Sequence, residues 1–192
     1  MNLEYIFPTP IWQDILTCDL YAMRRYIASV KESSEGRKVS NVGGWQSNDY
    51  QPEELLDTPV SQLISIIEKR MKLCFGDYGC TVNPKLGNIW FNVNGPGSYN
   101  STHIHTDSVL SGVFYIFCPE DSGSIIFERQ SQDQYVLGTY CRNNLEKIAS
   151  THWRYNPKPN MLLMFPAWIP HSVEINNSDR DRISISFNVV KQ

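Results

Sequence analysis

The hydrophobic period of this chain changes near residue 81, and no other feature constrains its fold as much. Upstream, apolar residues recur at spacings of three and four. Leu20 to Val30 reads as one helix, ending near Glu35-Gly36. Pro59 to Phe75 reads as a second, with Val60, Leu63, Ile64, Ile67, Met71 and Cys74 on one stripe. Downstream the period is two. Within Asn88 to Asn94, Ile89, Phe91 and Val93 alternate with Asn88, Trp90, Asn92 and Asn94. Val109 to Cys118, Ser124 to Arg129, Met161 to Trp168, His171 to Ile175 and Arg182 to Val190 read as further strands, separated by Gly-, Pro-, Asn- and Asp-rich turns. Helices followed by many short strands give an α+β chain, mainly β. The strands should form a sandwich or jelly roll, with the N-terminal helices packed on one sheet.

The 192 residues suit a single domain, residues 1–80 being its helical part and 81–192 its β part. Aromatic residues make up 12% of the chain, which suits half-buried pleated surfaces. The net charge of −3 gives no basic field for nucleic acid. No apolar run approaches the roughly 18 residues of a membrane span, and the start, Met1-Asn2-Leu3-Glu4-Tyr5, has no basic n-region or apolar stretch. A soluble, cytoplasmic protein is the expectation. The five cysteines, Cys18, Cys74, Cys80, Cys118 and Cys141, are odd in number and form no CxxC, so reduced and mostly buried thiols are expected. Ser40 to Ser47, with Gly43-Gly44 beside Trp45, reads first as a tight turn with a packing Trp. The competing reading is a substrate-facing loop.

The densest group of potential ligands is His103-Ile104-His105-Thr106-Asp107. On an extended backbone its three polar side chains share one side. His171 lies 64 residues after Asp107, and Arg182 follows eleven residues later at the start of the last strand. Two imidazoles and one carboxylate on one face leave up to three positions of a metal open, the arrangement of non-haem Fe(II) oxygenases. A guanidinium nearby can clamp a carboxylate through two parallel hydrogen bonds, and so hold the far end of 2-oxoglutarate. On the last strand Arg182, Ser184, Ser186 and Asn188 alternate with Ile183, Ile185, Phe187 and Val189. A solvent-facing side would carry more Lys and Glu, so this short, polar side reads as the lining of a cavity. His152, beside Trp153, Arg154 and Tyr155, reads as structural. No GxSxG, P-loop or GxGxxG is present.

Taken together, these segments resemble the prolyl-hydroxylase-like 2-oxoglutarate/Fe(II)-dependent oxygenases, and in particular an uncharacterised phage and bacterial subfamily. The likeness runs through Phe7 to Trp12, Asn41 to Ser47, Trp90 to Gly97, His103-Ile104-His105, Leu110 to Tyr115, Phe165-Pro166, His171 and Arg182 to Asn188. It implies a double-stranded β-helix and the cofactors Fe(II) and 2-oxoglutarate. It further implies a dioxygenase that hydroxylates a C–H bond with O2, releasing succinate and CO2. Carried over by position, His105, Asp107 and His171 would be the metal ligands. His103 is the other option, because relatives often carry HxH without the following Asp. Arg182 would bind the distal carboxylate of 2-oxoglutarate, with Ser184 beside it. Tyr115, Asn92 and Asn188 would line the same pocket. The partners implied are a small-molecule or peptidyl substrate and O2, with a homodimer as one assembly; neither membrane nor nucleic acid is expected.

Two other readings compete. Gly97 with His103-x-His105, and Pro166 to His171, resemble the two motifs of a cupin-type metalloprotein. However, the Glu expected after HxH is missing, Trp168 replaces a Gly, and nothing in a cupin calls for Arg182. A non-catalytic jelly-roll binding module would instead use Trp45, Tyr50 and Tyr99 as exposed contact residues.

Overall fold

A computed structural model describes residues 1–2, 4–130 and 150–192. In chain order the elements are β1 (Trp12–Ile15), α1 (Leu20–Glu32), β2 (Asn41–Val42), β3 (Trp45–Gln46), a 3-10 turn (Pro52–Leu55), α2 (Ser61–Asp77), β4 (Pro84–Asn94), β5 (Tyr99–His103), β6 (Leu110–Phe117), β7 (Ile125–Glu128), β8 (His152–Tyr155), β9 (Met161–Pro166), β10 (His171–Val173) and β11 (Arg182–Lys191). The strands form two antiparallel sheets, of order β1-β9-β6-β11-β4-β3 and β2-β5-β10-β7-β8. From β4 onward the described strands alternate between the sheets, except that β7 and β8 share one. This is a double-stranded β-helix.

Each helix forms where the sequence pattern places it. Asp19 caps α1, its carboxylate accepting from the Ala22 N–H. Met23 and Ile27 of α1, and Leu63, Ile64, Ile67, Met71, Cys74 and Phe75 of α2, are buried. They pack on one face of the six-stranded sheet, against Ile89 and Phe91 of β4, Leu110 and Phe114 of β6, Leu162 and Met164 of β9, and Ile183, Ile185, Phe187 and Val189 of β11. Each fully buried side chain contributes about 1.5–3 kcal/mol of transfer free energy, so the helices are integral to the sheet rather than an appendage.

A second, smaller core fills part of the space between the sheets. It is built from Val113, Tyr115, Ile125, Phe127, Met161, Leu163, Phe165 and Ile169. β6 and β9 therefore divide their residues by parity between the helix side and the intersheet side. Beside this core, the described residues enclose a cavity of about 460 Å³ between the sheets.

The Asn41–Gln46 segment links the two sheets beside that cavity. Its β2 pairs with β5 of one sheet and its β3 with β4 of the other. Trp45 is half-buried and donates its Nε1–H to the Ser34 carbonyl, so the packing-Trp reading describes this turn. Tyr50 is half-buried against Phe91, with ring centroids 5.2 Å apart, and Tyr99 is half-buried as well. The exposed aromatic contacts that a binding module would need are thus not exposed. Of the cysteines, Cys74 is buried while Cys18, Cys80 and Cys118 are half-buried, and all four are free. The expectation of mostly buried thiols is therefore corrected to one buried among four, and Cys141 lies outside the described residues. Among the described residues, no helix is long and apolar enough to cross a membrane.

Candidate metal and co-substrate site

Three imidazoles meet at the cavity. His103 ends β5 and His171 opens β10, and the two are register partners across the β5–β10 pair. His105 lies two residues past β5, held by its backbone N–H, which donates to the Ala167 carbonyl at 2.9 Å. The ligating atoms of His103, His105 and His171 all lie within 4.8 Å of one another. Trp90 of β4 stacks on His105, with centroids 5.8 Å apart and planes 26° from parallel.

Hydrogen bonding sets the tautomers. His103 Nδ1 lies 2.8 Å from the Ser101 carbonyl, and His171 Nδ1 lies 3.0 Å from the Ile169 carbonyl. A carbonyl oxygen only accepts, so each Nδ1 carries the proton and each Nε2 keeps its lone pair free. Burial lowers the pKa of all three rings, to about 4 for His105 and about 3 for His171, with His103 adding repulsion to both. The cluster is neutral at physiological pH, the form that ligates a metal.

Asp107, expected to complete a two-histidine, one-carboxylate set, is placed elsewhere. It sits in an exposed turn with Thr106, outside the histidine group. The expectation assumed that the chain stays extended from His103 to Asp107. The strand ends at His103 and a turn takes over, which cancels the shared parity.

Arg182 is 3% exposed and lines the same cavity. Its Nη1 donates to the carbonyls of Ser122 and Gly123, the latter at 3.2 Å. Gly123 has φ +85, and a Cβ there would stand 2.4 Å from the Glu174 carbonyl oxygen, so only glycine lets the turn present these carbonyls. Burial lowers the Arg182 pKa, while Tyr115 and Cys118 beside it push it back up. No Asp or Glu lines the cavity among the described residues, so this guanidinium has no anionic partner there. Ser184 is opposite Tyr115 on β6 and Asn92 on β4. Tyr115 is buried, and its pKa is raised by that burial. Asn92, Tyr115, Ser184 and Asn188 all line the cavity. His152 is exposed on β8 and is not among the lining residues.

The donor set fits a first-row divalent metal: imidazole nitrogens suit iron, and three of them leave positions for other ligands. The buried Arg182, with no acidic partner among the described residues, fits the distal carboxylate of a dicarboxylic co-substrate. Sequence reasoning missed Trp90 as the platform for His105, and it missed the turn carbonyls that hold Arg182. The parity of Trp90 with Asn88 and Asn92 pointed to the first; nothing in the sequence pointed to the second.

Comparisons with known proteins agree with this chemistry. Residues 88–188 match the family model described as "Putative 2OG-Fe(II) oxygenase". No curated protein sequence matches the chain. Among solved structures, the chain is similar to a Pseudomonas putida prolyl-4-hydroxylase, with TM-score 0.68 and 13% identity, over 96% of this chain and 94% of that one. It is similar to a prolyl hydroxylase from Trichoplax adhaerens bound to a hypoxia inducible factor peptide fragment, with TM-score 0.64 and 15% identity, over 93% and 82%. It is also similar to a viral collagen prolyl hydroxylase from Paramecium Bursaria Chlorella virus-1 in complex with 2OG, with TM-score 0.61 and 11% identity, over 93% and 94%. At these identities the likeness carries the fold, and the family match carries the chemistry, ahead of a cupin or a non-catalytic module. The chain belongs to the 2OG-Fe(II) oxygenase family, whose members use Fe(II), 2-oxoglutarate and O2.

Proposed function

We propose that His103, His105 and His171 hold the iron and that Arg182 binds the distal carboxylate of 2-oxoglutarate, with Ser184 and Tyr115 beside it, in an enzyme that hydroxylates a C–H bond of a small-molecule or peptidyl substrate. The observation that carries this is the pairing within one cavity of a neutral three-histidine cluster and a buried guanidinium without an acidic partner among the described residues. The bound cofactors supply the oxidising chemistry, coupling decarboxylation of 2-oxoglutarate to oxidation of the C–H bond by O2. The protein's own residues orient and exclude. The two Nδ1–carbonyl hydrogen bonds fix the rings of His103 and His171. Trp90 covers one face of His105 and keeps water from that side. Arg182, anchored on the Ser122 and Gly123 carbonyls, is pre-set to receive a carboxylate. Asn92 and Asn188 extend the polar wall beyond it. The free thiols suit a cytoplasmic setting.

The test is release of succinate and CO2 from 2-oxoglutarate when Fe(II) and O2 are supplied. Substrate-independent turnover is expected at a low rate. It should be absent in His105→Ala and in His171→Ala.

A further inference from the structure

On both sides of Trp90 the cavity wall carries amides and hydroxyls: Asn92 toward Arg182, and Asn88, Ser111 and Asn188 at the other end. Along β6, β11 and β4, amides and hydroxyls form a ladder. Ser111 Oγ donates to Asn188 Oδ1 at 2.8 Å, Asn188 Nδ2 donates to Asn88 Oδ1 at 2.9 Å, and Asn92 Nδ2 donates to Ser186 Oγ at 3.0 Å. Each bond joins neighbouring strands, so these groups are oriented before any ligand arrives. Capacity remains. Asn88 Nδ2 has no protein acceptor and Asn92 Oδ1 no protein donor among the described residues. Neither atom is sealed off from solvent, and both residues line the cavity.

The wall is also without free charge. No Asp or Glu lines it among the described residues. Of its two guanidiniums, Arg182 is committed to the co-substrate end. Arg37 is paired with Asp49, and Gln46, with its amide oxygen turned toward Arg37, accepts from it at 3.2 Å.

Resting on the oxygenase reading above, we infer that the substrate bound along this wall is an uncharged, amide-bearing chain, its carboxamides coming from Asn or Gln side chains or from a peptide backbone. A cationic group would be buried there without a counter-charge, and so would an anionic one once Arg182 is occupied. An aliphatic group would strip water from Asn88 Nδ2 and Asn92 Oδ1 and return no hydrogen bond. A carboxamide offers an acceptor to the first and a donor to the second. The two residues lie four apart on β4, roughly 13 Å along the strand, so a chain with more than one amide meets both.

The test titrates Fe(II)-loaded, 2-oxoglutarate-saturated, oxygen-free protein with four capped probes: the N-acetyl amides of glutamine, glutamate, lysine and norleucine. Glutamine should bind about tenfold tighter than glutamate or lysine, the effect of one charged or unsatisfied group in a buried site. Norleucine equal to glutamine assigns the recognition to backbone amides, and norleucine weaker assigns it to the side chain. Glutamate or lysine within about threefold of glutamine overturns the inference, as does binding of none of the four. Asn88→Asp keeps an acceptor for Asn188 Nδ2 but replaces the spare donor with a carboxylate. It should abolish the preference for glutamine over lysine, with 2-oxoglutarate affinity serving as the control for folding. A preference retained in this variant also overturns the inference. Failure of Fe(II) or 2-oxoglutarate to bind in the first place strikes the oxygenase site assignment instead.

Discussion

His103 and His171 stand opposite each other across β5 and β10, ring centroids 4.3 Å apart, and each ties its Nδ1 to the carbonyl two residues before it. Two strand ends thus present the same tautomer toward the same point. The exposed Asp107 has no part in that arrangement. His103→Ala should therefore weaken metal binding by at least about a hundredfold, exceeding the 10–100-fold typical of losing an outer-shell partner. Asp107→Ala should leave it within about twofold. Anaerobic calorimetric titration with Fe(II), or with Mn(II) in its place, reads both. The reverse ranking would restore the carboxylate-containing set.

A donor set of three neutral imidazoles leaves both charges of a divalent ion uncompensated by protein. An anionic co-substrate then has more to gain from the ion, and the ion from it. Metal and 2-oxoglutarate should tighten each other's binding by the same factor, between about 5- and 150-fold. Putting a carboxylate into the set with His103→Asp should shrink that factor. Titrations of each ligand with and without the other measure it, and independent binding would contradict the three-histidine assignment.

Arg182 makes a separate prediction. Its planar fork rests on two turn carbonyls and keeps its remaining donors for the cavity. Arg182→Ala should cost about 2–5 kcal/mol of 2-oxoglutarate binding, the range for truncating one partner of a buried charge pair. Arg182→Lys should also weaken it, because an ammonium cannot match a carboxylate through two parallel bonds. Iron affinity measured without 2-oxoglutarate should hardly change in either variant. Unchanged 2-oxoglutarate affinity in Arg182→Ala would remove the co-substrate role assigned to this residue.

The parts legible in the sequence were those with long, regular periods. On β11, Ile183, Ile185, Phe187 and Val189 pack toward the helices, and Arg182, Ser184, Ser186 and Asn188 line the cavity, as alternation alone suggested. The stripes of α1 and α2 were equally readable. Most strands of two to five residues were not: β1, β2, β3, β5 and β8 are too short to show a period, whereas the equally short β7 and β10 were marked out by the turn residues that bound them. Asp107 shows the other limit, since parity arguments hold only while the backbone stays extended. The ladder joining Ser111, Asn188 and Asn88 links residues 77 and 100 positions apart, and only the folded register brings them together.

Thiol chemistry gives a pH prediction. Burial pushes the thiols of Cys74 and Cys118 up to about 12, Asp77 adding to the effect at Cys74 and Arg182 opposing it at Cys118. A raised pKa keeps each as the unreactive thiol across the neutral range, and reactivity grows only as pH climbs toward that value. At pH 8 both should alkylate with iodoacetamide on the order of a hundredfold more slowly than a free thiol. Mass spectrometry of labelled peptides, native and denatured, checks this. Native labelling of Cys118 as fast as that of a free thiol would contradict its raised pKa.

Gly112 of β6 offers the last prediction, which ties packing to the polar wall. A Cβ at this position would stand 2.2 Å from the ring of Phe187, a residue wholly buried on β11. Phe187 lies opposite Gly112 in register, and the next pair is Asn188 with Ser111, the top of the ladder. The ring has little room to retreat, because it is wholly buried in one core cluster with Ile89, its register partner on β4, and the helix residues. Gly112→Ala should therefore cost about 1–3 kcal/mol through overpacking. Combining it with Phe187→Leu should be less harmful than the sum of the two changes, because the smaller side chain gives the new methyl room. Denaturant unfolding of the two single variants and the double variant measures the coupling. Strict additivity would mean that this contact does not set the spacing between β6 and β11.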